Sequence, residues 1–118
     1  MKVVLHFGRT VKELFFIFSP ILKFKVLEES MIPLFYPGDF VLVEKINYLV
    51  GNPKIGDLVV LRSPKDGKLL IKKIQKVHDR EFFVVGENQK KSIDSRSFGL
   101  VDKKDIIGRV FYVSRTKN

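Results

Sequence analysis

The sequence predicts a mostly β protein, a small barrel or folded sheet preceded by a short N-terminal helix. Three observations carry this reading. Six runs rich in β-branched and aromatic residues, Phe24–Leu27, Phe40–Val43, Leu58–Leu61, Leu69–Val77, Phe82–Val85 and Ile106–Val113, follow one another at short spacing. Turn-forming groups separate them: Pro37-Gly38-Asp39, Gly51-Asn52-Pro53, Ile55-Gly56-Asp57, Lys65-Asp66-Gly67 and Gly86-Glu87-Asn88 supply the backbone angles or side-chain hydrogen bonds that reverse a chain. A length of 118 residues, 45% of them hydrophobic, suits one compact domain with a real core.

The helix comes first. In Thr10-Val11-Lys12-Glu13 a hydroxyl and a carboxylate three residues on can satisfy the first free amides of a helix, which then runs from Val11 to about Ser19. Pro20 ends it, having no amide to donate. Val11, Leu14, Phe15 and Phe18 share one face, and Phe16 and Ile17 make the opposite side apolar too, so the segment is covered either by the core or a partner, or by a lipid interface. The chain thus divides into an N-terminal helical or interfacial segment, 1–23, and a β domain, 24–118. Within the latter, no repeat, linker or low-complexity stretch interrupts the six strands.

Composition excludes several kinds of chemistry. With no cysteine there is no disulfide framework and no thiolate, and His6 and His78 are too few for a histidine metal cluster, so neither a metal nor a cofactor is expected. A formal charge of +9 suits an anionic membrane surface or a polyanion, and equally a lysine-rich surface that only keeps a protein soluble. Nucleic acid is not expected, because Tyr36, Tyr48 and Tyr112 are scattered beside apolar residues instead of interleaved with cations as stacking platforms. The uncharged run Leu14–Leu22 falls far short of the roughly 20 apolar residues that a membrane span needs. It also lacks the small-residue cleavage site of a removable signal.

What remains is carboxylate chemistry or a hydroxyl nucleophile paired with an amine base. Ser30, in Glu29-Ser30-Met31-Ile32-Pro33, stands at the end of a strand and before a turn. Lys72 is mid-strand in Leu69-Leu70-Ile71-Lys72-Lys73-Ile74, where alternation turns it inward if Ile71 faces out. Burial can lower a lysine pKa by about 3 to 5 units and leave a neutral amine able to accept a proton. From spacing alone, a serine before a turn and a lysine pair on a solvated edge read as ordinary residues just as well.

At these residues the chain resembles the type I signal peptidase family of Ser-Lys endopeptidases. Ser30-Met31-Ile32-Pro33 followed by Gly38-Asp39 is similar to its nucleophile box, and Ile71-Lys72-Lys73 to its lysine box, with Lys73 where arginine is usual. Val43 to Tyr48 and Pro53 to Val60 resemble the strands between, Gly86-Glu87-Asn88 and Ser92 to Gly99 the closing box, and Ile107-Gly108-Arg109 the last strand. The resemblance runs from about Val26 to Val110 in the family's order.

It implies a signal-peptidase-like β fold and a serine protease with Ser30 as nucleophile and Lys72 as general base. Ser92 would orient the lysine amine, and Asp94 and Arg96, two apart in an extended segment, would brace the site as an ion pair. Met31 and Ile32 would line the substrate cleft. The partner implied is a precursor protein bound as an extended strand and cut after a small residue, at a membrane that the chain contacts peripherally. A cytoplasmic maturation peptidase for a metalloenzyme precursor, of the kind that processes nickel superoxide dismutase, is the alternative within the family. Self-cleaving repressor-type relatives do not fit, because the chain has neither alanine nor cysteine for their internal cleavage sites.

Departures from the pattern are specific. Glu28 stands where the family has a small or hydroxyl residue of its oxyanion hole, with Glu29 next to it. Either these carboxylates turn outward and backbone amides, that of Ser30 included, serve the oxyanion, or this copy is specialised. Leu34 replaces a usual threonine and Glu87 a usual aspartate, while the short connection from Lys72 to Gly86 leaves a minimal catalytic core.

Overall fold

The computed structural model describes residues 21–46, 48 and 51–115. The expected helix over 11–19, with its Thr10–Glu13 cap, lies outside the described residues. Strands run over Ile21–Lys25 (β1), Phe40–Glu44 (β2), Leu58–Arg62 (β3), Leu69–His78 (β4), Glu81–Val85 (β5), Val101–Asp102 (β6) and Ile106–Ser114 (β7), with one helical turn, α1, at Ser95–Phe98. Among the described residues these strands make one curled antiparallel sheet in the order β1-β2-β7-β3-β4-β5-β6.

Side-chain alternation explains which elements lie where. On β2 the residues Val41 and Val43 are buried between half-buried neighbours, the pattern of a strand with one face on the core. β3 sits well inside the sheet, and its apolar run is buried on both faces. Val59 and Leu61 join Leu70, Ile74, Phe82, Val84 and Val101 in one core cluster. Val60 joins Phe24, Met31, Phe35, Val41 and Val43 in the other. Turns close the strands where glycine can take positive φ, at Gly38 (97°) and Gly56 (93°). The Tyr48 hydroxyl donates to Asp57 Oδ2 at 2.6 Å and ties the segment after β2 to the start of β3.

Two elements differ from the sequence reading. β1 begins at Ile21 and ends at Lys25, earlier than the expected Phe24–Leu27. Its register is set by cross-strand pairing with β2, from Ile21 opposite Glu44 to Lys25 opposite Phe40, and the chain beyond it is held through Val26, whose amide donates to the Asp39 carbonyl at 2.7 Å. β6 was not expected; two residues, Val101 and Asp102, are too short to show a period, and pair with β5 through Phe82 and Glu81.

The division of labour along β4 positions the site. Its first half, Leu69 to Lys73, pairs with β3, whereas β5 pairs only from Lys73 to His78. On the β5 side, Leu69 to Lys72 therefore carries no strand among the described residues. The curl of the sheet sets Phe24–Glu28 across from Lys68–Ile71, with a groove of about 360 Å³ between them.

Candidate active site

Lys72 sits on the same face of β4 as Leu70 and Ile74, both core residues, and opposite the buried Val59. Strand geometry therefore carries its stem into the interior, and its exposure is 0%. Its amine donates to Ser92 Oγ at 3.1 Å. The Ser92 hydroxyl in turn donates to Asp94 Oδ2 at 2.7 Å. Because the serine proton is committed to the carboxylate, Ser92 meets the lysine with a lone pair, and the amine is held by one of its own hydrogens.

Burial pushes the Lys72 pKa below the usual lysine range; the charges of Asp94 and Glu28 oppose that fall, and Arg96 adds to it. Asp94, 1% exposed, accepts from the Gly86 amide at 2.9 Å, the Arg96 amide at 3.1 Å and Arg96 Nε at 3.0 Å. Burial alone would raise this carboxyl. The Arg96 guanidinium, the Gly86 amide and the Ser92 hydroxyl together hold it well below the usual carboxylate range. The negative charge nearest the lysine is thus shared with a cation and an array of donors, and it lies one hydroxyl away from the amine.

The Asp94–Arg96 pair forms by a different geometry from the extended one expected. Asp94 is the N-cap of α1, and Arg96 lies within that helical turn, so capping bond and ion pair come from one carboxylate. Lys73, by alternation, points away from Lys72; half-buried, it pairs with Glu87 at 3.1 Å.

Ser30 lies in the turn after β1 and is 5% exposed. Its carbonyl accepts from the Asn88 amide at 2.8 Å, and Asn88 Nδ2 donates to the Glu29 carbonyl at 3.1 Å. The Gly86-Glu87-Asn88 turn therefore clamps the serine loop onto the end of β5. A Cβ at Gly86 would lie 2.2 Å from Ser92 Oγ and 2.7 Å from the Ser30 carbonyl oxygen, so the serine loop and the lysine's partner converge on one point that only hydrogen can occupy. Among the described residues, no hydrogen bond joins Ser30 Oγ to Lys72 Nζ, and the Ser30 amide donates to no acceptor.

The structure thus assembles Lys72, Ser92, Asp94 and Arg96 through direct contacts and brings Ser30 to them through its backbone. Ser30 and Met31 line the groove between Phe24–Glu28 and Lys68–Ile71; Ile32 is half-buried and is not part of that wall. Glu28 and Glu29 are both exposed, with Glu28 on the groove wall. Sequence reasoning missed the positioning roles of Gly86 and Asn88, although the turn that holds them was visible. It also missed Ser95, whose Oγ accepts from the Val84 amide at 2.8 Å and fixes α1 to β5. Among the described residues there is no metal-binding group of side chains. Nor is there among them a helix long and apolar enough to cross a membrane.

Known proteins resemble this chain along most of its length. The model of the family described as "Signal peptidase, peptidase S26" matches residues 2–75 and 73–114. A probable thylakoidal processing peptidase 2 of the Arabidopsis thaliana chloroplast is 26% identical over 125 aligned positions, covering 68% of this chain and 34% of that protein. Signal peptidase I of Buchnera aphidicola subsp. Baizongia pistaciae is 39% identical over 49 positions, 41% of this chain and 16% of that protein. Probable signal peptidase I-1 of Synechocystis is 23% identical over 129 positions, covering 71% of this chain and 66% of that protein. The chain spans about a third of the length of the first of these relatives and about two thirds of the last. With the family model matching nearly the whole chain, over the segments that carry Ser30, Lys72 and the Ser92–Arg96 turn, the chain belongs to the signal peptidase family, peptidase S26.

Proposed function

We propose that this chain is a serine-type endopeptidase in which Ser30 is the nucleophile and Lys72 the general base. It cleaves a precursor protein after a small residue, the substrate lying as an extended strand in the groove. The observation that carries this reading is the fully buried Lys72 amine, held by Ser92 at the point where the Ser30 loop converges.

A lysine in this position has its protonated form disfavoured by burial, and its neutral amine keeps a lone pair free while a hydrogen stays on Ser92. That lone pair takes the Ser30 hydroxyl proton as Oγ attacks the scissile carbonyl. Catalytic contacts of this kind often tighten only when substrate is bound, consistent with the open Ser30–Lys72 geometry. The buried Ser30 amide, free of acceptors among the described residues, donates to the developing oxyanion. The Lys72 ammonium then returns its proton to the leaving amine. Water, activated by the same amine, hydrolyses the acyl ester and restores Ser30.

The groove suits an extended peptide. One wall is the strand edge of Leu69 to Lys72 facing away from β3, which carries no ladder partner among the described residues, and apolar side chains of Phe24, Val26, Met31, Leu69 and Ile71 line the space. Membrane contact belongs to the same proposal. Phe15, Phe16, Ile17 and Phe18 are flanked by Lys12, Lys23 and Lys25, the composition of an interfacial anchor on anionic lipid.

The test is cleavage of a signal-peptide-derived substrate with product identification. Ser30→Ala and Lys72→Met should each lose activity by several orders of magnitude while keeping the native circular dichroism spectrum. Lys72→Arg should be equally inactive, because a guanidinium stays protonated. Substantial turnover by either Lys72 variant would refute the dyad.

A further inference from the structure

The groove is apolar along its floor and charged at both ends. Lys25 and Lys68, on opposite walls, mark the end away from the nucleophile, and Glu28 stands on the wall two residues before Ser30. All three are exposed. Among the described residues none of them makes an ion pair, so a charged side chain entering the groove at either end meets a charge not already paired. A chain spans at most about 3.3 Å per residue, so Glu28 lies within roughly 7 Å of the nucleophile along the wall and Lys25 within roughly 17 Å.

We propose that Glu28 is a specificity-determining residue, which selects a basic side chain in the substrate within about three residues of the cut, while Lys25 and Lys68 reject the same side chain at the far end. This deepens the peptidase reading and rests on it. The groove floor offers only apolar contact and a strand edge, and these are tolerant of register: an extended peptide could slide along such a wall with little change in contact area. A carboxylate at one end and two ammonium groups at the other break that degeneracy. A substrate with its basic residue near the cut gains an attraction, and a slipped one meets like charge. The pairs are exposed, so each is worth about two- to fivefold in affinity at low salt, and the difference between a basic and an acidic substrate residue compounds attraction with repulsion. A second link places Glu28 close to the chemistry, since its charge acts on Lys72 and resists the fall in the lysine's pKa.

The experiment uses the full chain and a set of fluorogenic peptides with one small-residue cleavage site. The small residue before the cut is kept, and each of the two positions preceding it and the three positions following the cut carries Lys, Gln or Glu in turn. At one position the Lys peptide should exceed the Glu peptide by about fivefold or more in kcat/KM, the ratio shrinking as salt rises from about 0.05 to 0.5 M. Glu28→Gln should bring that ratio near one and Glu28→Lys should invert it, whereas Glu29→Gln, which alters an exposed carboxylate outside the groove wall, should preserve it. Glu28→Gln should also move the midpoint of the rate–pH profile downward. An unchanged ratio in Glu28→Gln overturns the proposal, and so does equal loss in Glu29→Gln, which would mean a diffuse surface field. Failure of the wild type to cleave any peptide would refute the peptidase reading separately. Affinities of the same peptides for Ser30→Ala, measured by fluorescence anisotropy, then decide the charge preference. Binding without preference, or no binding, overturns it.

Discussion

Gly86→Ala is the most informative single change in this protein, because it adds one methyl group at the point where the loop of Ser30, the proposed nucleophile, meets Ser92, the hydrogen-bond partner of Lys72. The new carbon would stand 2.2 Å from Ser92 Oγ and 2.7 Å from both Ser92 Cβ and the Ser30 carbonyl oxygen. Non-bonded heavy atoms settle at about 3.5 Å or more, so Ser92 or the Ser30 loop must retreat by roughly 1 Å. Neither can do so freely. Ser92 is pinned between Lys72 and Asp94, and the Ser30 carbonyl is an anchor for the Asn88 amide. Overpacking of this kind costs about 1–3 kcal/mol, or roughly 5–15 °C in melting temperature for a domain this size. A misplacement of about 1 Å at reacting groups costs about 100-fold in rate. Since the walls at Phe24–Glu28 and Lys68–Ile71 are untouched, kcat should fall about 100-fold with KM within about threefold of wild type. Steady-state cleavage of a fluorogenic peptide, with thermal melts followed by circular dichroism, measures both. A variant with native melting temperature and kcat within about threefold of wild type would refute the convergence of these residues as the basis of catalysis.

Four further outcomes are expected. Activity should rise with pH as Lys72 loses its proton, with a midpoint below that of free lysine; a midpoint at the free-lysine value would mean a solvated amine. Stability should rise over the same range, because between the lowered folded pKa and the ordinary value near 10.5 the unfolded chain binds more protons than the folded one; denaturant melts of wild type against Lys72→Met read this difference. Asp94→Asn should lower stability by roughly 2–3 kcal/mol in urea unfolding, since it weakens charge-assisted bonds to the Arg96 side chain and to the Gly86 and Arg96 amides together. Finally, the full chain should bind anionic vesicles in a salt-sensitive way, and Phe15→Ser, Phe16→Ser and Phe18→Ser combined should abolish sedimentation with them; equal binding by that variant would remove the membrane role of the segment.

Much of this site is legible in the sequence because strand alternation is a strict code. Leu70, Lys72 and Ile74 must share a face, so a lysine between two core residues is either a defect or a reagent. The boxes around Ser30 and Ser92 supply the rest by resemblance. What the sequence does not carry is contact at a distance. Gly86 reads as an ordinary turn glycine, and its function depends on the approach of the loop at Ser30, which is 56 positions away in the chain. Asp94 looked extended because two residues of separation fit a strand. The Asp-Ser-Arg-Ser order is equally that of a capped turn, and the buried Val84 amide, satisfied by Ser95, decides for the turn. Glu28 could be recognised as out of pattern, but its place on the groove wall follows only from the curl of the sheet.

One consequence of β4's two halves concerns fidelity. Among the described residues the same strand leaves one edge unpaired at Leu69 to Lys72, ends that edge at Lys72, the base of the proposed mechanism, and is stiffened by β5 from Lys73 onward. A peptide added to that edge is measured against the base by a ruler whose markings come every second residue, since a shift of one turns each side chain to the wrong face and a shift of two restores the pattern. Errors in such a device are quantised. Miscut products should differ from the correct one by two residues rather than one, so mass spectrometry of minor termini would read the pitch of the ruler.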